Sequence, residues 1–309
     1  MPSNLSERNE VLSSEQRPVG KGIISLIPDQ RQLQQPSTGF KSSAIDVIEY
    51  TYPLKLMVPR FASSTQCKWI YPISFGGGLV EGDCIDVSLS VGDECVAVYT
   101  TQASTKVYHC NEGKQTKQKT KCCLGNGAFL AMLPDPVVPF KNADFSQSQN
   151  FEMSSSSNLV LLDWVTAGRV ARKEVWDFNR VASSYLIEID GKAVLRDGTQ
   201  LRDSPSISLK DALPRYMIIG SLVLIGPQLE SLVASLERDH GQPKPIHGTY
   251  DSDEMLSFSP LHFTSHGLNV TGCLLRFCFS SVGSAYTEIS GVLKPIFPIL
   301  GGNPFENKF

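Results

Sequence analysis

Three charged side chains stand inside otherwise apolar stretches of the sequence. Asp163 lies between a leucine and a tryptophan, and Arg169 and Glu174 follow shortly after it. On a strand, Glu174 would share one face with Arg172 and Trp176. Burying a charged group costs free energy unless the group is paired or hydrated. The residues therefore allow two hypotheses. One is an internal ion pair between arginine and carboxylate. The other is a water-filled passage lined by spaced carboxylates that each bind a cation weakly. The sequence alone leaves both open.

Further oxygen ligands lie closer to the N-terminus. Residues 75–83 contain four glycines and end in Asp83. Glycine permits positive φ and lets two stretches of backbone approach closely. Spacing alone favours a hairpin or bulge turn with a solvated Asp83, since neither G-x-G-x-x-G before a helix nor G-x-x-x-x-G-K-[ST] is present. Gln102, Ser104 and Thr105 would add neutral oxygen ligands to a passage of the kind described above.

The patterns of resident metal sites and catalytic centres are missing from the sequence. His262 and His266 are four residues apart in a stretch typical of extended chain, where that spacing is roughly 13 Å and too long to chelate one ion. Cys273 and Cys278 would point to opposite faces of a strand. There is no C-x-x-C pair, no G-x-S-x-G and no H-E-x-x-H. We therefore expect no structural zinc site and no enzyme.

Composition is typical of a globular chain with a substantial core. The 309 residues are 41% hydrophobic and 19% charged, and the formal net charge is −3. That charge balance gives no reason to expect a nucleic acid or an anionic membrane as the main partner. No apolar run is long enough to span a bilayer, and no apolar signal sequence opens the chain. We expect a cytoplasmic protein whose eight cysteines are free thiols.

Most of the chain has the pattern of short β-strands. Apolar, β-branched and aromatic runs alternate with Gly, Asp, Asn, Ser and Pro, which indicates a mainly β fold with many short strands. Residues 188–195 are typical of a hairpin about an Asp-Gly turn. Residues 216–225 predict a strand that is buried on both faces. Because no repeat of fixed length is visible, the residues by themselves do not identify a solenoid.

Only two stretches have the pattern of helices. Residues 228–240 carry apolar side chains at i, i+3, i+4 and i+7, with a proline before and a glycine after them, and residues 284–293 are compatible with a second helix. Residues 1–18 are polar and predict a disordered tail, followed by one large domain over residues 19–309. The apolar end of the chain either packs on the body or is covered by a partner.

Several motifs in a fixed order give the sequence its resemblance to a known family. They are Tyr52-Pro53-Leu54-Lys55, the glycine-rich run 75–83, residues 100–108, residues 133–140, Leu162-Asp163-Trp164, Gly168-Arg169, Glu174 and Trp176. In this order they resemble the urease accessory proteins called UreD, or UreH in some organisms. The resemblance extends from about residue 20 to the end of the chain.

The resemblance implies a non-enzymatic role in urease maturation. Proteins of this family act with UreF and the GTPase UreG, bind apo-urease and help to install its nickel. Their fold is a long, twisted stack of strands, β-helix- or sandwich-like, with two helices, and a water-filled tunnel is the proposed nickel route. By motif match, Asp83 and Glu174 are the implied contacts of nickel in transit. No cofactor would be tightly bound here, and GTP would sit on UreG.

The sequence departs from the family pattern at two positions. Glu81 and Lys173 stand where glycine is usual, which places charged side chains where close backbone approach is expected. Two other functions remain open beside the nickel conduit. A pure adaptor would hold its partners together without any need for internal carboxylates. A β-rich hydrolase would need a closed pocket that holds an acid and a base.

Overall fold

The computed structural model describes residues 19–29, 40–59, 66–111, 113–241, 253–265 and 268–308. The predicted disordered tail, residues 1–18, lies outside the described residues. His266 lies outside them as well. The described parts cover the strands, both predicted helices and all the predicted site residues.

The described residues form seventeen strands. In chain order they are β1 (Val19–Pro28), β2 (Ser43–Tyr50), β3 (Leu54–Met57), β4 (Lys68–Ser74), β5 (Cys84–Val91), β6 (Val96–Tyr99), β7 (Thr105–Val107), β8 (Thr116–Leu124), β9 (Phe129–Met132), β10 (Val137–Pro139), β11 (Asp144–Met153), β12 (Asn158–Thr166), β13 (Arg180–Ile189), β14 (Lys192–Leu201), β15 (Ile218–Ile225), β16 (Glu254–Ser265) and β17 (Leu268–Phe279). The prediction of a mainly β fold is confirmed.

The strands form two sheets that stack on each other. The first sheet has the order β14-β13-β11-β8-β5-β1-β2, and the second has the order β16-β17-β15-β12-β9-β6-β4-β3, with β10 beside β12 and β7 beside β10. From β5 to β13 the chain alternates between the sheets, and β5, β8, β11 and β13 pair in parallel. These stacked coils resemble a β-solenoid, as the family resemblance implies.

Unequal coils explain why no repeat is visible in the sequence. Corresponding positions in successive coils are 33, 29 and 36 residues apart. The register pairs that give these spacings are Cys84 with Lys117, Thr116 with Phe145, and Asp144 with Arg180. Parallel pairing fixes which residues lie side by side, but it leaves each connecting loop free to differ in length.

Strand β12 separates the two apolar layers of the molecule. Leu159 and Leu161 pack in the layer between the sheets, whereas Val160 and Leu162 pack in the layer on the other side of the second sheet. Alternate side chains of a strand point to opposite faces, so a strand in the middle of the molecule is apolar on both. By the same alternation Asp163 points between the sheets. Strand β15 has the same two-sided burial, as predicted for residues 216–225.

The outer layer contains the two predicted helices. The helices of the described chain are α1 (Leu209–Ala212), α2 (Glu230–His240), α3 (Val282–Leu293) and α4 (Phe297–Leu300), with 3₁₀ turns at Val170–Arg172, Pro227–Leu229 and Lys294–Ile296. Helix α2 buries Leu232, Val233 and Leu236 against the second sheet. The Ser281 hydroxyl accepts the Ser284 N–H at 3.0 Å and caps α3, a contact worth about 1 kcal/mol.

The end of the chain packs on the body of the protein. Leu300 and Phe305 are buried in the outer layer, and the Phe305 ring lies 5.9 Å from that of Tyr286 in α3. Of the two alternatives that the sequence left open, packing on the body is therefore the observed one for the described residues. The Lys308 ammonium forms an ion pair with Asp135.

The segment around Glu174 is not a strand, which corrects one prediction. A 3₁₀ turn spans Val170–Arg172, and Lys173 and Trp176 both have positive φ. The Trp176 N–H donates to the Ala167 carbonyl at 2.6 Å, so the chain turns back on itself within ten residues. Alternation of faces does not apply in such a turn, and the expectation that Glu174, Arg172 and Trp176 share a strand face is wrong.

Gly168 sets the geometry of this turn and offers a test of it. Its φ is +111°, and a Cβ atom would lie 2.8 Å from the Pro139 carbonyl oxygen and 3.0 Å from that of Glu174. We expect Gly168→Ala to lower the free energy of unfolding by about 2–4 kcal/mol, through backbone strain and overpacking together. Urea unfolding followed by tryptophan fluorescence measures the change.

Gly291 provides the matched control for that substitution. It is exposed in α3, and no neighbouring atom lies within 4 Å of a Cβ built there. Gly291→Ala should raise stability by about 0.5–1 kcal/mol, because alanine favours the helix. Equal effects of the two substitutions would contradict the structural role of Gly168.

Candidate functional site

A cluster of polar side chains interrupts the apolar layer between the two sheets. Strand β8 contributes Gln118 and Thr120, and the neighbouring β11 contributes Gln147 and Gln149. These four side chains line a cavity of about 50 Å³ inside the sandwich. Buried amides and hydroxyls need hydrogen-bond partners, and this volume is large enough to hold water. The cavity is therefore suited to hydration.

The second sheet completes the cavity with acidic and aromatic groups. Asp135, Asp163, Thr105 and Tyr99 line it from this side. The Tyr99 hydroxyl is buried and has no hydrogen-bond partner among the described residues. A buried hydroxyl of this kind is usually satisfied by water. The unpaired hydroxyl is a second indication that the cavity holds water.

Asp163 lies on the face of β12 that points between the two sheets and lines the cavity. Its Oδ2 accepts the Ser183 hydroxyl at 2.5 Å, and its Oδ1 accepts the Gln147 side-chain N–H at 3.3 Å. Burial raises the pKa of Asp163, the nearby Asp197 raises it further, and the two neutral donors act in the opposite direction. Among the described residues, the hydrogen bonds to the Asp163 carboxylate come from neutral groups. The carboxylate is partly buried and is held by these neutral groups, so a proton or a metal ion could bind it.

A larger cavity adjoins the small one at Asp163. It has a volume of about 330 Å³ and shares Val137, Gln147, Asp163 and Trp164 with its smaller neighbour. Arg276 also lines it, and its guanidinium donates to an Asp197 oxygen at 2.6 Å. Polar groups therefore continue from the small cavity into the larger one.

Asp83 holds the glycine-rich turn together. The side chain is 7% exposed, and its Oδ2 accepts the Val80 N–H at 2.8 Å. Gly78 permits the same turn to lie against the next coil, since a Cβ atom there would be 2.8 Å from the Lys106 carbonyl oxygen. Asp83 is not among the described residues that line the two cavities. Its visible role is to fix the loop before β5.

Glu174 forms an ion pair with Arg169. This arrangement is the first of the two hypotheses for this segment, an internal pair of arginine and carboxylate. The Arg169 Nε lies 2.7 Å from Oε2 and its Nη2 lies 2.5 Å from Oε1, and the Lys141 N–H donates to Oε2 at 3.2 Å. The guanidinium also lies 3.8 Å from the centre of the Phe140 ring. These hydrogen bonds, the arginine contact first, lower the pKa of Glu174.

The three neutral oxygen ligands that were predicted have different locations. Thr105 lines the small cavity, whereas Gln102 is exposed and Ser104 is half-buried. Of the predicted site residues, the cavity thus brings together Asp163 and Thr105. Asp83, Glu174 and Arg169 lie outside it, at the end of the first sheet where β5, β8 and β11 begin.

Sequence reasoning missed the glutamines of the cavity and the acid beside them. On the inward face of β11 the order is Phe145, Gln147, Gln149, Phe151, so two amides stand between two buried aromatic rings. That alternation is visible in the sequence and was the available signal. Asp135 lies in a proline-flanked loop, and nothing in its local sequence indicates that it is buried.

The two departures from the family pattern have local structural explanations. The Glu81 carboxylate accepts the backbone N–H groups of Asn111 and Lys114 at 2.9 and 3.0 Å and the Cys110 thiol at 3.1 Å. A carboxylate that binds two N–H groups is well accommodated. Lys173 adopts φ +63°, a conformation that glycine reaches without strain.

Within the described part of the chain, no group of three or more His, Cys, Asp and Glu residues is arranged to hold a metal ion. None of its helices combines the length and apolar character needed to cross a bilayer. All eight cysteines are free, as predicted.

Comparison with known proteins places the chain among urease accessory proteins. A family model described as "UreD urease accessory protein" matches residues 34–305. Urease accessory protein D of Arabidopsis thaliana is 33% identical over 270 residues, which cover 82% of this chain and 92% of that protein. The protein of the same name from Oryza sativa subsp. indica is 32% identical over 273 residues, covering 82% and 88%. Urease accessory protein UreD of Anaeromyxobacter is 33% identical over 265 residues, covering 85% and 84%.

The Arg169–Glu174 pair predicts a specific dependence of stability on pH. Because the pKa of Glu174 is lowered in the folded protein, the ionised side chain contributes to the free energy of unfolding fully at pH values above its unfolded pKa of about 4.3. This contribution to stability is lost as the pH falls through the folded pKa. We expect the difference in unfolding free energy between wild type and Glu174→Gln to be largest near neutral pH and to shrink below about pH 4. Urea titrations at several pH values measure it.

The double variant supplies the control for this pair. In an Arg169→Met background, Glu174→Gln should change the free energy of unfolding little at both neutral and acidic pH, because the positive charge that pairs with Glu174 has been removed. A difference that stays constant from neutral to acidic pH in the Arg169 background would contradict the assignment.

Proposed function

The chain belongs to the UreD family of urease accessory proteins, and we propose that, with UreF and the GTPase UreG, it binds apo-urease and conducts nickel to it. The observation that supports a conduit is Asp163, a carboxylate between the two sheets that faces a cavity lined by amides and hydroxyls. An interior of this kind is uncommon in a sandwich, where inward side chains are normally apolar.

The ligands of the cavity suit a cation in transit. Ni²⁺ accepts oxygen and nitrogen ligands in several geometries, and the cavity offers the carboxylate of Asp163 together with the neutral oxygens of Gln147, Gln149 and Thr105. The second carboxylate of the lining, Asp135, is paired with Lys308. Conduction requires binding that is strong enough to admit an ion and weak enough to release it. One carboxylate held by neutral groups meets this requirement better than a closed cage would.

Asp83 and Glu174 remain candidate nickel contacts outside the cavity. Nickel could reach Glu174 only by displacing the Arg169 guanidinium from both carboxylate oxygens, and it would compete at Asp83 with the Val80 N–H. We therefore propose Asp163 as the principal acid of the route. The other two acids would act at the end of the first sheet, where they also hold the backbone.

Exposed aromatic residues beside the glycine-rich turn are suited to contact a partner protein. Tyr52 is 65% exposed and Phe75 is 53% exposed, and their ring centres are 5.6 Å apart. Val80, in the same turn, is 38% exposed. Exposed apolar side chains that cluster are typical of protein interaction sites. We propose that this surface contributes to the assembly with UreF or urease.

Asp163→Asn tests the conduit. The amide keeps the size and the acceptor oxygen of the side chain but removes the negative charge, so the variant should fold and bind its partners while nickel delivery falls. We expect nickel per urease to drop about tenfold under limiting nickel, the effect of losing roughly 1.4 kcal/mol of cation binding. Metal analysis of urease purified after maturation measures the occupancy.

Asp86→Asn is the matched control, because Asp86 lies in β5 on the face opposite the buried Ile85 and Val87. The same charge change there should leave nickel occupancy unaltered. If Asp163→Asn loads urease fully while Tyr52→Ala with Phe75→Ala abolishes maturation, the protein is an adaptor and the conduit is excluded.

Nickel transfer should also depend on pH through Asp163. Burial raises the pKa of this carboxyl, so its protonated form persists to higher pH than that of an exposed aspartate, and protons compete with nickel there. We expect the rate of nickel transfer to increase as pH rises through the raised pKa. Asp163→Asn should remove this part of the profile, whereas Asp86→Asn should retain it. Identical profiles in all three proteins would contradict the role of Asp163.

A further inference from the structure

Lys308 inserts its ammonium group into a set of oxygen atoms on the second sheet. Nζ lies 2.8 Å from the Thr101 carbonyl oxygen, 3.0 Å from Thr100 Oγ1, and 3.1 Å from each of Oδ1 and Oδ2 of Asp135. An ammonium group has three N–H bonds, and here it meets four oxygen atoms. One N–H bond can be shared between the two carboxylate oxygens while the other two are directed at Thr100 and Thr101, so three oxygen-bearing groups converge on one cationic position.

The hydrogens of the surrounding groups point away from this position. The Thr100 hydroxyl donates to the Leu133 carbonyl at 2.7 Å, so its lone pairs are free to face Nζ. The Thr101 hydroxyl donates to Oδ2 of Asp135 at 3.0 Å, and the Tyr286 hydroxyl donates to Oδ1 at 2.7 Å. These donors fix the carboxylate in place. The site is thus organised by groups other than the lysine that fills it.

Burial makes the charge balance of this site important. The side chain of Asp135 is 1% exposed and that of Lys308 is 12% exposed. Removing the cationic partner of a buried carboxylate is strongly destabilising. The contacts of 2.8–3.1 Å are ordinary lengths for N–H···O hydrogen bonds from an ammonium group. Because the position is surrounded by one carboxylate and two neutral oxygens, its charge is balanced by a singly charged, ammonium-like ion.

The geometry points to a site for a monovalent ammonium-type cation formed by Asp135, Thr100 and Thr101, with Lys308 as its tethered occupant. A free alkylammonium ion binds there once Lys308 is removed. Because Asp135 also lines the small cavity, the occupant sets the charge on the cavity wall, and the filled site fastens the end of the described chain to the second sheet. Binding at this site is independent of nickel transfer and can be measured without urease.

Chemical rescue of Lys308→Ala tests the site. In the full chain we expect this variant to melt roughly 5–10 °C lower than wild type, as loss of a buried ion pair implies. Methylammonium chloride should restore at least half of that loss with saturable dependence on concentration. Sodium chloride at equal ionic strength should not. Wild type should show no specific response to methylammonium, because its site is filled.

The double variant Asp135→Asn with Lys308→Ala is the matched control and should not be rescued. Should Lys308→Ala fail to fold, Lys308→Met retains the apolar stem and serves instead, with ammonium chloride in place of methylammonium because the stem already occupies the place of the methyl group. Equal effects of methylammonium and sodium on the single variant would overturn the proposal, as would equal rescue of the double variant. Stabilisation of the single variant by nickel chloride alone, without any response to methylammonium, would overturn the assignment to a monovalent ion.

Discussion

A polar side chain between two β-sheets must be hydrogen-bonded to a neighbour or to water, and this constraint governs the interior of the protein. In most of the sandwich the inward side chains are apolar and need no hydrogen-bond partner. Around the small cavity Gln147, Gln149 and Asp163 replace them, and Tyr99, whose hydroxyl has no partner among the described residues, lines the same space. Water satisfies such groups at little cost. A polar cavity suited to hydration is the consequence.

The carboxylates of the molecule differ in what neutralises them. Glu174 forms an ion pair with Arg169, and Asp135 forms an ion pair with Lys308. Asp163 has neutral donors, and burial raises its pKa. Paired carboxylates stabilise backbone turns and chain ends. A carboxylate held by neutral groups can exchange one cation for another. In this protein the chemistry available to an ion is therefore set by the local partners of each acid more than by the number of acids.

The motifs that mark the UreD family are also the places where the backbones of neighbouring coils come close together. The glycine-rich turn and the Gly168 turn both require close approach between coils, and both belong to the ordered motifs by which the sequence resembles that family. Such motifs preserve the stacking of coils of unequal length. These motifs indicate the family and the backbone geometry, but they do not indicate which side chains could bind an ion.

The sequence by itself determined the elements whose signals are local. Short apolar and β-branched runs predicted the mainly β fold, the apolar stretch at residues 216–225 predicted the two-sided burial of β15, and the i, i+3, i+4 pattern predicted helix α2. The order of motifs fixed the family. Local pattern could not decide which carboxylates would be paired, hydrated or buried, because the partners of Asp163, Glu174 and Asp135 come from distant parts of the chain. Lys308 lies 173 residues from Asp135, and only the tertiary structure brings the two together. Burial, which sets the free energy of a charge, belongs to the folded structure and is absent from any short stretch of sequence.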